Sequence, residues 1–160
     1  MTRSKAQTQR FAIRLVRKIF SGLRHRKVVG ATIIALQGDL GAGKTTFAQG
    51  FLKALGVKHH ITSPTFLIVR KYEISTPLAG QALRKGFAHF HYAYHFDLYR
   101  IQKPKELLDL GFKKIISDPH AIILIEWPER IKKILPKNTI WISFKHGKNE
   151  KERIIEITNN

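Results

Sequence analysis

The sequence of 160 residues contains no cysteine, and its apolar runs are short. Without cysteine the chain has no disulfide, no thiolate nucleophile and no cysteine-ligated zinc site, which fits a reducing compartment. The longest apolar runs, such as AIILIEW at 121–127, are far shorter than the about 20 residues that cross a bilayer. We therefore expect a cytoplasmic protein with no membrane partner.

Acidic residues are also scarce. The chain has 11 of them against 29 lysines and arginines, a formal net charge of +18, and none precedes Asp39. A field of this size favours anionic partners, of which nucleic acid is the first candidate. A lysine-rich surface without a specific partner gives the same total, so direct contact with RNA stays open at this point.

The arginine-rich start of the chain has two interpretations. A segment rich in arginine and free of acid is typical of a mitochondrial transit peptide. However, its apolar residues fall at helical spacing and would cover the core of the domain, which favours a basic helix that belongs to the fold. These residues are Phe11, Leu15, Val16, Ile19, Phe20 and Leu23.

Strands and helices alternate along the first half of the sequence. The length and the 43% hydrophobic content suit one globular domain over residues 1–160. The order predicts an α/β fold: a single domain with a mixed, mostly parallel central sheet, flanking helices and a C-terminal antiparallel hairpin. The predicted strands are 30–38, 66–73, 89–99, 121–127, 138–144 and 153–158, and the predicted helices are 44–55 (with Gly56 as its stop), 104–116 and 128–135.

The segment GDLGAGKTTF at 38–47 matches G-x-x-x-x-G-K-[ST], between a predicted strand and a predicted helix. In such a loop the backbone N–H groups and the helix N-terminus converge on phosphate oxygens. We expect Lys44 to reach the β- and γ-phosphates and the Thr45 hydroxyl to bind Mg²⁺. The residues predicted to bind the nucleotide here are Gly38, Asp39, Leu40, Gly41, Ala42, Gly43, Lys44, Thr45 and Thr46.

A second metal-side group is expected at the end of a neighbouring apolar strand. The run AIILIEW supplies Glu126, which we predict to hold a Mg²⁺-bound water or to polarise the attacking water. An ordinary strand-end glutamate in a surface pair is the alternative. Trp127 follows it and either walls the site or simply packs.

A strand of alternating residues leads to a further acid, Asp97. His89, His91, His95 and Asp97 share one face of this strand. Residues two apart on a strand lie about 6.5–7 Å apart, so one ion does not easily bridge this set. We therefore interpret Asp97 as a catalytic base or water-orienting group near the nucleotide.

The segment TSPTF at 62–66 supplies two hydroxyl groups in a rigid loop. Ser63 and Thr65 could sense a γ-phosphate. A plain proline turn explains the same residues equally well. Both interpretations stay open.

Several classes of nucleotide-binding protein fit these motifs. The guanine-reading motif N-K-x-D is missing from the sequence, which favours adenine. A small-molecule or nucleoside kinase would need a mobile lid, and the basic segment 77–86 could supply one. An ATP-switched nucleic-acid-binding protein is a third class that the charge allows.

Five motifs occur together in one order: GDLGAGKTTF, SPTF, HFDLYR, ELLDLGF and IEWPER. In order and approximate spacing they resemble the TsaE family, the bacterial P-loop ATPase of tRNA threonylcarbamoyladenosine biosynthesis, from about Thr8 to about Arg153. The resemblance implies a compact mixed-sheet P-loop fold and Mg²⁺-dependent ATP hydrolysis. It also implies a partner, the TsaB–TsaD heterodimer, which carries the transferase site for adenosine 37 of tRNA and which the ATPase resets or regulates.

The resemblance also implies roles for single residues. Lys44 and Thr45 match the phosphate and Mg²⁺ residues, and Glu126 matches the Walker B acid. Asp97 matches the aspartate of the H-x-D-x-Y-R motif that the family needs for activity. The remaining matches are Ser63 and Thr65 in a switch-like loop, Trp127 after the acid, and Thr8 and Arg153 at the adenine end.

The sequence departs from the family in two respects. Residues 76–91 are longer than the usual connection before H-x-D-x-Y-R, and we assign no role to this insertion. The net charge of +18 is far more basic than expected for the family, which leaves direct tRNA contact through a basic surface as a local feature.

Overall fold

The computed structural model describes residues 1–23, 29–58, 60–74, 90–149 and 152–159, without the side chains of 20–23 and 159. None of the helices within these ranges is long and apolar enough to cross a membrane. The helices are α1 (Lys5–Leu23), α2 (Lys44–Ala54), α3 (Pro104–Asp109), α4 (Phe112–Ile116) and a 3₁₀ helix (Pro128–Ile134). The strands are β1 (Thr32–Gly38), β2 (Val69–Glu73), β3 (Tyr92–Asp97), β4 (Ala121–Glu126), β5 (Ile140–His146) and β6 (Arg153–Asn159).

All six strands join one mixed sheet in the order β2-β3-β4-β1-β5-β6. The four central strands run parallel, and an antiparallel strand closes each edge. The predicted α/β fold with a mostly parallel sheet and a C-terminal antiparallel hairpin is confirmed. The second antiparallel edge, formed by β2, was not predicted from the pattern.

The strand register brings the carboxyl ends of β1, β3 and β4 together, and these ends form the binding edge of the sheet. Strand β4 is buried at every position, as expected for a parallel strand covered on both faces. Leu36 of β1 and Asp97 of β3 both pair with Glu126 of β4. Because the carboxyl ends of parallel strands form the binding edge of an open α/β sheet, Asp97 and Glu126 come to lie beside the loop after β1.

The basic N-terminal segment forms α1, as its apolar spacing predicts. Ala12, Leu15 and Val16 are buried in the core that α1 shares with α2 and the sheet. The two helices approach closely at Gly50, where a Cβ atom would lie 2.7 Å from Cα of Gln9. Helix α2 ends at Ala54, so the stop predicted near Gly56 is confirmed.

The structure corrects several of the predicted elements. The helix predicted over 104–116 is two helices, because Gly111 adopts a left-handed backbone (φ 79°) between them. Strand β2 begins at Val69 and not at 66, since Ile68 turns the chain with φ 64°. Strand β3 is also shorter than the predicted 89–99, and the short basic helix after β4 is a 3₁₀ helix. Nearly all of the predicted 76–91 insertion lies outside the described residues.

Candidate nucleotide-binding site

The loop after β1 folds tightly against β5 and opens directly into α2. A Cβ atom at Gly38 would lie 2.2 Å from the carbonyl oxygen of Phe144, so only glycine allows this approach. Gly43 is the N-cap of α2 with φ 101°, a conformation that glycine adopts without strain. The first N–H groups of α2 have no carbonyl partner one turn earlier and point into the loop. This geometry is that of an anion cradle.

Lys44 turns its ammonium group back onto the loop. Its side chain is buried, and Nζ donates to the carbonyl oxygens of Gly38 at 2.6 Å and Asp39 at 2.7 Å. Nζ also lies 3.9 Å from the centre of the Trp127 ring, in a cation–π contact. Burial lowers the pKa of Lys44, while the nearby carboxylates, that of Glu126 foremost, raise it.

Thr45 and Glu126 meet at the floor of the site. The Thr45 hydroxyl donates to Oε2 of Glu126 at 2.9 Å, and Glu126 is almost fully buried. The other carboxylate oxygen, Oε1, lies 2.8 Å from Nε2 of His95. The two residues predicted to hold Mg²⁺ are therefore in direct contact.

Asp97 belongs to a different set of contacts at the same edge. Its Oδ2 accepts hydrogen bonds from the hydroxyls of Ser63 and Thr65, whose oxygen atoms lie 2.7 Å from each other. Its Oδ1 accepts the backbone N–H of Tyr99 at 3.1 Å. The loop predicted to be switch-like is thus hydrogen-bonded to the predicted catalytic aspartate. No such bond joins these two hydroxyls to the phosphate loop, residues 38–45, within the described part of the chain.

Trp127 closes one side of the site from an unusual backbone conformation. Its φ of 61° is left-handed, which few residues other than glycine adopt. This turn aims the indole across the sheet edge, where it contacts the Tyr99 ring at 5.1 Å as well as Lys44. The indole therefore packs against Lys44 and Tyr99, and its role as a wall of the nucleotide site stays a prediction.

Two cavities flank the phosphate loop. One, of about 390 Å³, is lined by Lys44, Thr45, Asp97, Glu126 and Trp127 among others. The second, of about 360 Å³, is lined by Thr8, Arg153 and residues at the start of α1. Gly41, Gly43 and Thr46 line both.

Contacts between the N-terminal residues and the start of β6 hold the second cavity together. Thr2 forms an isolated bridge with Arg153, and the Thr2 and Thr8 hydroxyls bond at 2.9 Å. The Arg153 side chain passes 3.8 Å from the position of a Cβ atom on Gly43. Thr8 and Arg153 therefore lie on the opposite side of the loop from Asp97 and Glu126.

The residues present fit a magnesium–triphosphate group. Among the described residues that line the first cavity, Lys44 is the cation and lies against the cradle, and Thr45 and Glu126 form a hydroxyl–carboxylate pair of the hard oxygen donors that Mg²⁺ prefers. Of the predicted loop residues, Leu40 reaches the rim of this cavity with an exposed side chain. Ala42 is fully buried and offers only its backbone.

Two contributors were not singled out from the sequence. The pattern places His95 with other histidines on one strand face, and of the histidines in the described residues His95 is the one that contacts Glu126. Tyr99 donates its backbone N–H to Asp97, and its ring packs against that of Trp127. The signal for both was their place in HFDLYR, two residues before and after Asp97.

Comparison with known proteins agrees with this geometry. Residues 2–155 match the family model described as "Threonylcarbamoyl adenosine biosynthesis protein TsaE". A Haemophilus influenzae protein named tRNA threonylcarbamoyladenosine biosynthesis protein TsaE is 38% identical over 71% of this chain and 62% of its own length. A Rickettsia prowazekii protein of the same name is 35% identical over 92% of this chain and 86% of its own. The matched region thus spans less than two thirds of the Haemophilus relative.

A solved structure gives the same fold. The crystal structure of Bacillus YdiB superposes with a TM-score of 0.64 over 98% of this chain and 82% of that one, at 23% identity. At that identity the likeness concerns the fold alone. The family match over nearly the whole chain, together with the loop, the acid and the aspartate at one sheet edge, leads to one conclusion: this chain belongs to the TsaE family.

Proposed function

We propose that this chain is a Mg²⁺-dependent ATPase of the tRNA threonylcarbamoyladenosine machinery, which hydrolyses ATP to ADP and phosphate. The observation that carries the proposal is the contact between Thr45 and Glu126 beside the buried Lys44. A hydroxyl and a carboxylate joined at the floor of an anion cradle are the two ligands that a triphosphate-bound Mg²⁺ requires from the protein.

Each side chain has a distinct task in this mechanism. Lys44 leaves the Gly38 and Asp39 carbonyls and donates to the β- and γ-phosphate oxygens. Thr45 and Glu126 would hold Mg²⁺, which when bound neutralises charge developing on the phosphate oxygens. Asp97 orients a water and holds its proton, because its carboxylate lies at the same edge and points into the same cavity.

The adenine end is assigned to the second cavity. Thr8 and Arg153 line it across the loop from the acids, where a nucleotide seated in the cradle would place its adenosine. ATP as the bound nucleotide is supported by the missing guanine motif in the sequence. The basic segment 77–86, which could supply the lid of a kinase, lies outside the described residues.

A partner complex is also part of the proposal. Four apolar or aromatic side chains on the loops beside the first cavity are exposed, and a contiguous exposed apolar patch marks an interaction site. They are Leu40, Phe66, Leu67 and Tyr99. We infer that the TsaB–TsaD heterodimer covers this rim and that ATP hydrolysis resets or regulates it between turnovers.

Measuring phosphate release from ATP, with and without the TsaB–TsaD pair, tests the functional proposal. We expect slow ATP hydrolysis by the isolated chain and a marked stimulation by the TsaB–TsaD pair. Replacing the exposed Phe66 and Leu67 by serine should abolish the stimulation and leave the slow basal rate. Full turnover without the partners would contradict the regulatory role, and no hydrolysis under either condition would contradict the ATPase.

Direct tRNA contact is a second proposal, and a separate observation favours it. Arg10, Arg14 and Arg17 are exposed along one face of α1, at the spacing that places side chains on the same side of a helix. None of the three forms an ion pair with another described residue. We infer that this arginine stripe contacts tRNA phosphates.

The salt dependence of tRNA binding tests the arginine stripe. Changing its three arginines to glutamine should reduce the slope of log K against log salt by about 2, because each lost phosphate contact removes about 0.7–0.9. A control with the same loss of charge changes the exposed Lys105, Lys113 and Lys114 to glutamine. Equal slopes for the two variants would contradict a localised contact.

A further inference from the structure

His95 is a buried histidine that the mechanism above does not use. Its side chain has no solvent exposure, and its Nε2 lies 2.8 Å from Oε1 of Glu126. The remaining oxygen of that carboxylate, Oε2, accepts the hydrogen bond from Thr45. The carboxylate is therefore held between β3 on one side and the first turn of α2 on the other.

The ring has only this polar tie within the described part of the chain. Its Nδ1 is buried and has no hydrogen-bond partner there. Burying a polar ring costs free energy unless a hydrogen bond offsets it, so the contact with Glu126 is what justifies a histidine at this position. An ionised Glu126 is an acceptor only, which requires Nε2 to carry the proton.

We propose that His95 is a positioning residue for Glu126, an inference that rests on the proposed Mg²⁺-dependent function of this site. By donating from Nε2 to Oε1, His95 fixes the rotation of the carboxylate and directs Oε2 toward Thr45 and the place where Mg²⁺ would be held. Partners that orient a metal ligand from behind commonly change metal affinity about 10–100-fold when they are removed.

Two variants separate positioning from mere packing. In His95→Gln the side-chain amide nitrogen occupies about the position of Nε2 and still donates to Glu126. In His95→Asn the shorter amide occupies the position of Nδ1 and leaves Oε1 without its donor. Both variants bury an amide in place of a ring, so a purely structural role would affect them alike.

The measurement is the coupling between nucleotide and metal. The affinity for a fluorescent non-hydrolysable ATP analogue is measured with Mg²⁺ and with excess EDTA, and the ratio gives the coupling. We expect His95→Asn to lower the ratio about tenfold and His95→Gln to stay within about threefold of the native chain. The affinity in EDTA should be unchanged, and urea unfolding should show similar losses of stability in both variants.

The outcomes are distinct from those of the functional proposal. A native chain that shows no nucleotide binding or no Mg²⁺ coupling contradicts the proposed function itself. Native coupling with equal effects of the two variants, or with no effect of either, overturns the role of His95. Long-range ¹H–¹⁵N NMR of the native chain tests the same point without a variant: an Nε2 without a proton would also overturn it.

Discussion

Asp97 and Glu126 are two carboxylates that sit side by side in register and are nevertheless held by different parts of the molecule. Glu126 bonds to Thr45 on α2 and to His95 on β3, so both of its partners belong to regular elements. Asp97 bonds to Ser63 and Thr65, which lie in an irregular loop, and to the backbone after β3.

The difference supports the two separate tasks that we propose for these carboxylates. A carboxylate fixed by a helix and a strand keeps its place, which suits a metal ligand. A carboxylate whose partners lie in a loop can exchange them when the loop moves, which suits a group that must meet a water at the right moment. The following predictions separate the two tasks.

Conservative replacement of each acid should give the largest contrast. Asp97→Asn should keep nucleotide affinity and lower single-turnover hydrolysis about 10²–10⁴-fold, because the proton acceptor is lost. Glu126→Gln should instead lose the effect of Mg²⁺ on affinity. Titration of a labelled nucleotide with and without Mg²⁺, followed by quenched-flow hydrolysis, measures both. Normal turnover in Asp97→Asn would remove Asp97 from the catalytic residues.

Removing the cation that both acids face should weaken binding itself. Lys44→Ala eliminates two or more charge-assisted hydrogen bonds to phosphate, so the affinity for ATP should fall about 100-fold. Isothermal titration calorimetry with ATP gives the dissociation constant. The control is Lys53→Ala in the last turn of the same helix. An unchanged affinity in Lys44→Ala would show that the loop has been misinterpreted.

Releasing Asp97 from its loop should have a smaller effect. In the double variant Ser63→Ala, Thr65→Ala the carboxylate loses both hydroxyl donors, and we expect hydrolysis to fall about tenfold while Mg²⁺ coupling is retained. The control is Thr62→Ala in the same loop. The hydroxyl of Thr62 accepts a hydrogen bond from Arg70. Loss of Mg²⁺ coupling in the double variant would mean that the two acids do not act separately.

The smallest effect concerns the protonation of Lys44. Burial lowers the pKa of Lys44 overall. Both carboxylates oppose this by raising the pKa, and Glu126 raises it more than Asp97 does. Glu126→Gln should therefore lower the pKa of Lys44 further than Asp97→Asn does. The ¹³Cε shift of Lys44 followed against pH measures it, and equal shifts in the two variants would contradict the order.

The same pKa has a consequence for stability. Between the lowered pKa of folded Lys44 and its ordinary value near 10.4, the unfolded chain binds more protons than the folded one. The free energy of unfolding should therefore rise with pH across this window. Urea titrations of the native chain and of Lys44→Met at alkaline pH compare the two slopes.

The sequence was most informative where a motif and an element coincide. The loop was predicted to join a strand that ends at Gly38 to a helix that begins at Lys44, and both elements form as expected. Glu126 was predicted from an apolar run that is indeed a buried central strand. Local patterns of this kind carry their own structural context.

Other features depended on contacts that no local pattern records. The bond between His95 and Glu126 joins neighbouring strands separated in sequence by two helices, so it follows only from sheet order. The break at Gly111 and the turn at Ile68 depend on single backbone angles, which apolar periodicity does not report. The tie of Ser63 and Thr65 to Asp97 likewise needed the register of β3.

The central place of β1 in the sheet has a consequence for synthesis on the ribosome. Thr32 pairs with Ile122 and Ile34 pairs with Ile140, so both neighbours of this early strand come from the last third of the chain. Such distant pairings form late, because most of the chain must first be made and the intervening loop closed. A nascent chain cut before β5 should therefore contain every glycine of the phosphate loop and still lack the strand against which that loop folds.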